Sequence, residues 1–168
     1  MPKKLIEYKR LIDDFIRNDL HGRKTRLQSI NTWGEDITNR LLTFISKGKT
    51  IRGSLVLLSS EAYGLNISRD VLLTASAMEL IQAGLLIHDD IIDQDRTRRG
   101  ADTIFVQYEH LADTLHIADK IPFGRGMAIC VGDATFFLAV ELISETHAAA
   151  AMLHTLSQEY ISVCVAQM

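Results

Sequence analysis

Three aspartates, Asp89, Asp90 and Asp93, stand at positions i, i+1 and i+4 in the stretch ELIQAGLLIHDDIIDQDRTRRG, residues 79–100. On a helix, a rotation of about 100° per residue sets Asp89 and Asp93 about 40° apart and one turn along the axis. Their carboxylates can then reach a common point. The apolar run before them puts that point at the C-terminal end of a buried helix, where the backbone dipole disfavours anions. Like charges gathered there need a positive partner, and a divalent cation with oxygen ligands supplies one. A carboxylate donor set favours Mg2+ over zinc, and Mg2+ is commonly shared with substrate phosphates. Arg96, Arg98 and Arg99 follow directly and suit phosphate oxygens. The plainer alternative is a solvated acidic helix end neutralised by those same arginines. The apolar stretch immediately before the cluster argues instead for a site at the mouth of the core.

A second cluster, GKTIRG at residues 48–53, lies where one helix ends and the next begins, with Lys47 alongside. Lys49 and Arg52 can grip a phosphate, assisted by backbone N–H groups of the following helix. It lacks the GxxxxGK[ST] spacing of a nucleotide-binding loop. Taken alone it reads more readily as a helix-joining turn. Taken with the aspartates it suggests two diphosphates, one held through metal and one held by cations.

The elements that must position these groups are helices. Only Pro2 and Pro122 occur, glycine is sparse, and no proline interrupts the chain between those two. Leu5, Ile6, Leu11, Ile12, Phe15 and Ile16 recur at helical spacing in the first segment, and residues 31–47 repeat the pattern. A short helix over 54–63 ends at Gly64. Ser68 is the expected N-cap of the longest helix, 69 to about 95, which is apolar nearly all round. A shorter helix is expected over 103–110, a turn at Pro122 and Gly124, and helices over 127–145 and 148–167. No strand alternation is evident. Residues 1–168 are therefore read as a single all-α domain, a bundle of about seven helices.

Composition excludes several classes. A 47% apolar and 23% charged chain of this length can bury a core, which excludes disorder. A formal net charge of −3 leaves no electrostatic footprint for nucleic acid. No uninterrupted run approaches the roughly 18 apolar residues of a membrane span, so no transmembrane segment is expected. The first residues alternate charged and apolar types, unlike a signal peptide. Cys130 and Cys164 have no ligand-type spacing and are read as buried free thiols, which points to a cytoplasmic protein.

The motifs, in order and spacing, resemble those of the trans-isoprenyl diphosphate synthases, the polyprenyl synthetases. DDIID, residues 89–93, matches the first aspartate-rich motif, DDxxD, and Arg98-Arg99-Gly100 follows as it does in that family. GKTIRG resembles GKxxRP, with Gly53 in place of proline, and AICVGD at 128–133 is similar to the family's GD segment. The resemblance covers residues ~40–167 and implies the N-terminal half of the isoprenoid synthase fold. It implies that Asp89 and Asp93 coordinate Mg2+ on an allylic prenyl diphosphate, with Asp90 in support. Ionisation of the allylic C–O bond is then followed by attack of the isopentenyl diphosphate double bond. It further implies that Lys49, Arg52, Arg98 and Arg99 hold diphosphate, together with Gln82, which stands where the family usually has histidine. His88 is read as structural, and Asp133 as a core or helix-packing carboxylate.

A growing chain would run along the helix away from the metals, past Leu85, Gly84 and Ile81. No aromatic residue stands at Leu85 or Gly84 to stop it, so a product of about twenty carbons or more is expected. The family's second aspartate-rich motif, its KT pair and its GQxxD segment are not found in these residues. The chain is thus expected to be a fragment of a longer synthase, one subunit completed by a complementary C-terminal half, or a homo-oligomer with two aspartate clusters face to face. A non-catalytic diphosphate-binding or regulatory subunit is the main rival reading. A terpene cyclase leaves Lys49 and Arg52 without purpose, and a di-iron bundle lacks its Glu-x-x-His pairs.

Overall fold

Buried positions recur every fourth residue at the start of the chain, where Tyr8, Ile12, Ile16 and Leu20 form one stripe. That stripe belongs to α1 (Lys3–Ile30) in the computed structural model, which describes residues 2–168. Ile6 and Leu11, expected on the same face, turn to solvent. Tyr8 takes the inner position because its hydroxyl donates to Glu61 at 2.6 Å, so the ring is buried without an orphaned polar group. The remaining helices are α2 (Trp33–Ser46), α3 (Ile51–Ala62), α4 (Arg69–Ile92), α5 (Ile104–Thr114), α6 (Lys120–Ser144) and α7 (Ala149–Gln167). The fold is therefore an all-α bundle of seven helices among the described residues.

Local signals explain most boundaries. The Ser68 hydroxyl accepts from the Val71 N–H and caps α4. Gly64 adopts φ +74° just past α3, where a side chain would be strained. Helix α4 stops at Ile92 with Asp93 as its cap, and α1, at 28 residues, is the longest helix rather than α4. Pro122 does not mark a turn. It sits in the first turn of α6, where its missing N–H would have no helical partner.

One expectation about strands needs correction. Thr97–Arg98 (β1) and Ala101–Asp102 (β2) pair antiparallel, with Arg98 opposite Ala101. The two-residue loop between them, Arg99 and Gly100, has φ of +53° and +73°. Positive φ at both positions is the mirror-image turn that suits a tight hairpin. Glycine adopts it freely; at Arg99 it costs about 1–3 kcal/mol.

Helices α4 and α6 pack along their length and form the centre of the bundle. Gly84 on α4 lies under Phe136 of α6, and Gly132 on α6 lies under His88 of α4, so side chains of one helix fill space that glycines leave on the other. Both helices are in fact long and apolar enough to cross a membrane by length and composition, contrary to the sequence expectation. A few charged residues interrupt each apolar run without lowering its average much. In this fold 50% of the apolar window of α4 and 44% of that of α6 lie inside the bundle. Arg23 ties α1 to α6, bonding Asp19 at 2.7 Å, Glu145 at 3.1 Å and also Glu141.

Helix α7 carries no buried residue and rests on the bundle through Met152, Leu153, Leu156 and Tyr160. Cys164 is exposed on the side of α7 that borders an open cavity, and Cys130 is exposed on α6. The expectation of buried thiols therefore fails for both. Asp133 is not a core carboxylate either: its side chain is 57% exposed, with Oδ1 3.4 Å from His88 Nε2.

Candidate functional site

Gln82, Leu85, Leu86 and Asp89 follow the i, i+3, i+4, i+7 spacing of one helix face. On α4 that face lines a cavity of about 510 Å³, whose far walls are Phe136 of α6 and Val163 and Cys164 of α7. The volume lies within the ordinary range for small-molecule sites, about 300–1,000 Å³. Asp89 stands at one end of this apolar space.

The three aspartates occupy different environments. Asp89 is partly exposed at the cavity wall, and Asp93 is exposed at the helix end, its N–H bonded to the Asp89 carbonyl at 2.8 Å. Asp90 points into the bundle and its side chain is 1% exposed. Arg98 donates through Nε to Asp90 Oδ1 at 2.5 Å and through Nη2 to Asp89 Oδ2 at 3.3 Å. Asp90 Oδ2 is buried with no hydrogen-bond partner. Burial pushes the Asp90 carboxyl up to about 6, against the pull of Arg98. Arg98, grouped by sequence with the phosphate-binding residues, is thus turned to the aspartates by the hairpin.

A second cleft, of about 210 Å³, opens beside the first and is lined by Lys49, Arg52, Gln82, Arg99 and Glu79. These residues come from the α2–α3 turn, from α4 and from the hairpin. Thr50, within the turn, has φ +52°, so left-handed backbone presents both Lys49 and Arg99. Burial first, and neighbouring Arg98 second, lower the Arg99 pKa. Cations gathered in one concave site favour an anion. Gln82 borders both this cleft and the apolar cavity.

Glu79 was not anticipated as a site residue, although it stands three positions before Gln82 on the same helix. Its Oε1 accepts the Gly53 N–H at 2.7 Å, and so pins the basic turn to α4. Burial raises the Glu79 carboxyl, while the Gly53 N–H and then Arg52 oppose the rise. Gly53 must be small here. A Cβ would meet the Ala75 carbonyl oxygen at 2.8 Å and Ile12 Cδ1 at 2.9 Å.

Of the three residues assigned to chain length, only Leu85 borders the cavity. Ile81 is 6% exposed in the core, because the face it occupies packs into the bundle. Gly84 is buried under Phe136, whose ring carbons come within 2.9 Å of the place a Cβ would take. The absence of an aromatic on α4 is therefore filled by one from α6, which no local pattern in the sequence reveals.

Mg2+ fits the residues present. The donors are hard carboxylate oxygens, and Asp90 Oδ2 is a buried oxygen left without a partner. Among the described residues no three His, Cys, Asp or Glu side chains converge closely enough to enclose an ion.

Known proteins include clear relatives of this chain. Residues 33–168 match the family model described as Polyprenyl synthetase. The chain is 36% identical over 98 residues to a geranylgeranyl diphosphate synthase of Methanosarcina mazei, covering 58% of this chain and 25% of the relative. It is 42% identical over 96 residues to a short chain isoprenyl diphosphate synthase of Methanothermobacter thermautotrophicus, covering 57% and 25%. Among solved structures, it superposes on geranylgeranyl pyrophosphate synthase of Corynebacterium glutamicum, which is complexed with isoprenyl diphosphate and magnesium. The TM-score is 0.75 at 28% identity, over 83% of this chain and 41% of that one. The synthetase of Geoglobus acetivorans gives 0.73 at 26% identity, over 97% and 47%. The matched region spans about a quarter of the curated relatives and less than half of the solved chains. With the family model covering most of its length and the seven helices matching part of the synthase fold, the chain belongs to the polyprenyl synthetase family.

Proposed function

We propose that this chain carries the substrate-binding face of a trans-prenyltransferase that joins an allylic prenyl diphosphate to isopentenyl diphosphate. The observation that carries the reading is the meeting of a basic cleft and an apolar cavity at Gln82, with Asp89 at the cavity wall. Two substrates whose carbon ends must touch need two such spaces sharing one border.

Asp89 and Asp93 would hold Mg2+, which would supply charge neutralisation to a departing allylic diphosphate. Arg98 fixes Asp90 and Asp89 by charged hydrogen bonds, so the carboxylate at the cavity wall keeps one orientation. Lys49, Arg52 and Arg99 grip the diphosphate of isopentenyl diphosphate, and Glu79 holds their turn in place. Gln82 donates an amide N–H at the border between the two substrates. Leu85, Leu86 and Phe136 house the allylic tail and exclude water from the carbon that becomes electron-poor.

The proposal includes a partner. Phe137 on α6 and Ile161 and Val165 on α7 are exposed by 70%, 64% and 64%, apolar side chains available to a second copy of the chain or a complementary subunit. Light scattering reads out self-association directly, and a clean monomer at micromolar concentration counts against the second copy. The reaction is tested by transfer of radiolabelled isopentenyl diphosphate, alone and with such a subunit. Binding is tested by calorimetry with Mg2+ and a non-hydrolysable prenyl diphosphate. Heat that depends on Mg2+ and disappears in Asp89→Ala supports the reading. No heat in the wild type, or no effect of Asp89→Ala, overturns it; binding without transfer reassigns the chain as a non-catalytic subunit.

A further inference from the structure

We infer that Lys9 and Asp13 of α1 are positioning residues of the basic cleft, acting through Thr50. The inference rests on the isopentenyl diphosphate reading of that cleft and adds what holds its cations in register. Thr50 stands between Lys49 and Arg52 and has φ +52° and ψ +43°. A β-branched residue rarely adopts left-handed backbone, and it keeps that conformation only where its surroundings fix it. The reversal lets Lys49, before it, and Arg52, after it, border the same cleft.

The fixing contacts come from the far end of the sequence. Thr50 is 2% exposed. Its hydroxyl donates to Asp13 Oδ1 at 3.3 Å and accepts from Lys9 Nζ at 3.3 Å. The same ammonium donates to Asp13 Oδ2 at 2.6 Å and to the carbonyl of Ser46, the last residue of α2, at 3.1 Å. Lys9 thereby uses all three of its donors and ties the end of α2 to the turn that follows. It also sets a cation where the dipole of α2 is negative. On the other side, the Thr50 carbonyl accepts from the Ser54 N–H at 3.1 Å and the Ser54 hydroxyl at 2.6 Å. Glu79 of α4 grips the turn three residues later, at Gly53. The strained residue itself is therefore held from α1, which precedes the matched residues 33–168. Neither Lys9 nor Asp13 lines the cleft, so both act on its ligand through Thr50.

The test reads two affinities of the full chain. Isopentenyl diphosphate is titrated with EDTA present, since cations alone build the cleft, and geranyl thiodiphosphate is titrated with Mg2+. Asp13→Ala and Thr50→Val should each weaken isopentenyl diphosphate about tenfold, the loss expected when the cation-presenting turn is populated only about a tenth of the time. Geranyl thiodiphosphate should change by less than about twofold. Both substitutions break one contact, so the double variant should lose about as much as either alone rather than about a hundredfold. Thr50→Ser keeps the hydroxyl and should retain more affinity than Thr50→Val. Asp13→Asn should weaken binding in the same direction by less, and it carries the test if the alanine variant fails to fold. Equal losses for both ligands, additive losses in the double variant, or an unchanged isopentenyl diphosphate affinity overturn this inference and leave the reading of the cleft intact. A wild type that binds no isopentenyl diphosphate overturns both.

Discussion

Restoring the family's proline at position 53 should damage this protein. Sequence logic predicts the opposite, because returning an unusual residue to its family type commonly stabilises. The structure gives Gly53 two duties that proline cannot perform. Its N–H donates to Glu79 Oε1 at 2.7 Å, and proline has no N–H. Its missing side chain lets α3 lie on α4, where a Cβ would stand 2.8 Å from the Ala75 carbonyl oxygen and 2.9 Å from Ile12 Cδ1. The helix itself does not object: position 53 is in the first turn of α3, where the N–H has no helical acceptor.

The magnitude follows from these two contacts. Losing a hydrogen bond to a partly buried carboxylate costs about 1.5–3 kcal/mol. Forcing extra atoms against a backbone oxygen adds about 1–3 kcal/mol. Gly53→Pro should therefore lose roughly 3–5 kcal/mol, a fall in Tm of order 10 °C for a chain of this size. Thermal unfolding followed by circular dichroism measures it. Gly53→Ala keeps the N–H and isolates the packing cost. In the background of Glu79→Gln, where the acceptor is neutral, Gly53→Pro should cost less than in the wild type, with a coupling of about 1 kcal/mol. A Gly53→Pro variant as stable as the wild type, or one whose effect simply adds to that of Glu79→Gln, would refute the account of the Gly53–Glu79 contact.

Arg98→Ala leaves the buried Asp90 carboxylate without its partner and should cost about 3–5 kcal/mol near neutral pH; denaturant titration should show a lower midpoint with an unchanged slope, and an undisturbed midpoint would count against the pair. Burial raises the Glu79 carboxyl above its ordinary 4.5. The folded chain then takes up that proton before the unfolded chain does, so Glu79's contribution is fullest below pH 4.5 and is lost as pH rises through the raised value. The Tm of the wild type should accordingly improve relative to Glu79→Gln as pH is lowered from about 7 toward the ordinary carboxylate range, and a flat difference would remove the assigned cause. Both Cys130 and Cys164 are exposed, so a thiol reagent should titrate two sulfhydryls per native chain without unfolding; a protected thiol would contradict the placement of its helix face.

The parts legible in the sequence are those encoded within one helix or one turn. The acidic cluster stands out by its spacing, the basic turn by its composition, and the seven helices by how few prolines and glycines interrupt them. What stayed hidden depends on how one helix is set against another. Asp90 differs from Asp89 by a single step of about 100°, yet that step carries it from the cavity wall to a buried position under Arg98. Nothing local distinguishes the two. The same holds for thiols on apolar helices: α6 and α7 look buried all round, but Cys130 falls on an exposed side of α6 and Cys164 on the open cavity wall of α7.

Glycines carry the cross-helix information most directly. A glycine inside a helix is locally unfavourable by about 1 kcal/mol relative to alanine, so its presence signals that something else occupies the space. Gly53, Gly84 and Gly132 each mark such a place: Glu79 and Ala75 over the first, Phe136 over the second, His88 over the third. The partner's identity could not be read from the glycine, since it comes from a different segment in each case. The position could. All three lie within the basic turn or along the α4–α6 seam that walls the cavity. In this bundle the missing side chains outline the site as clearly as the charged ones do, because both are dictated by what must fit between the same helices.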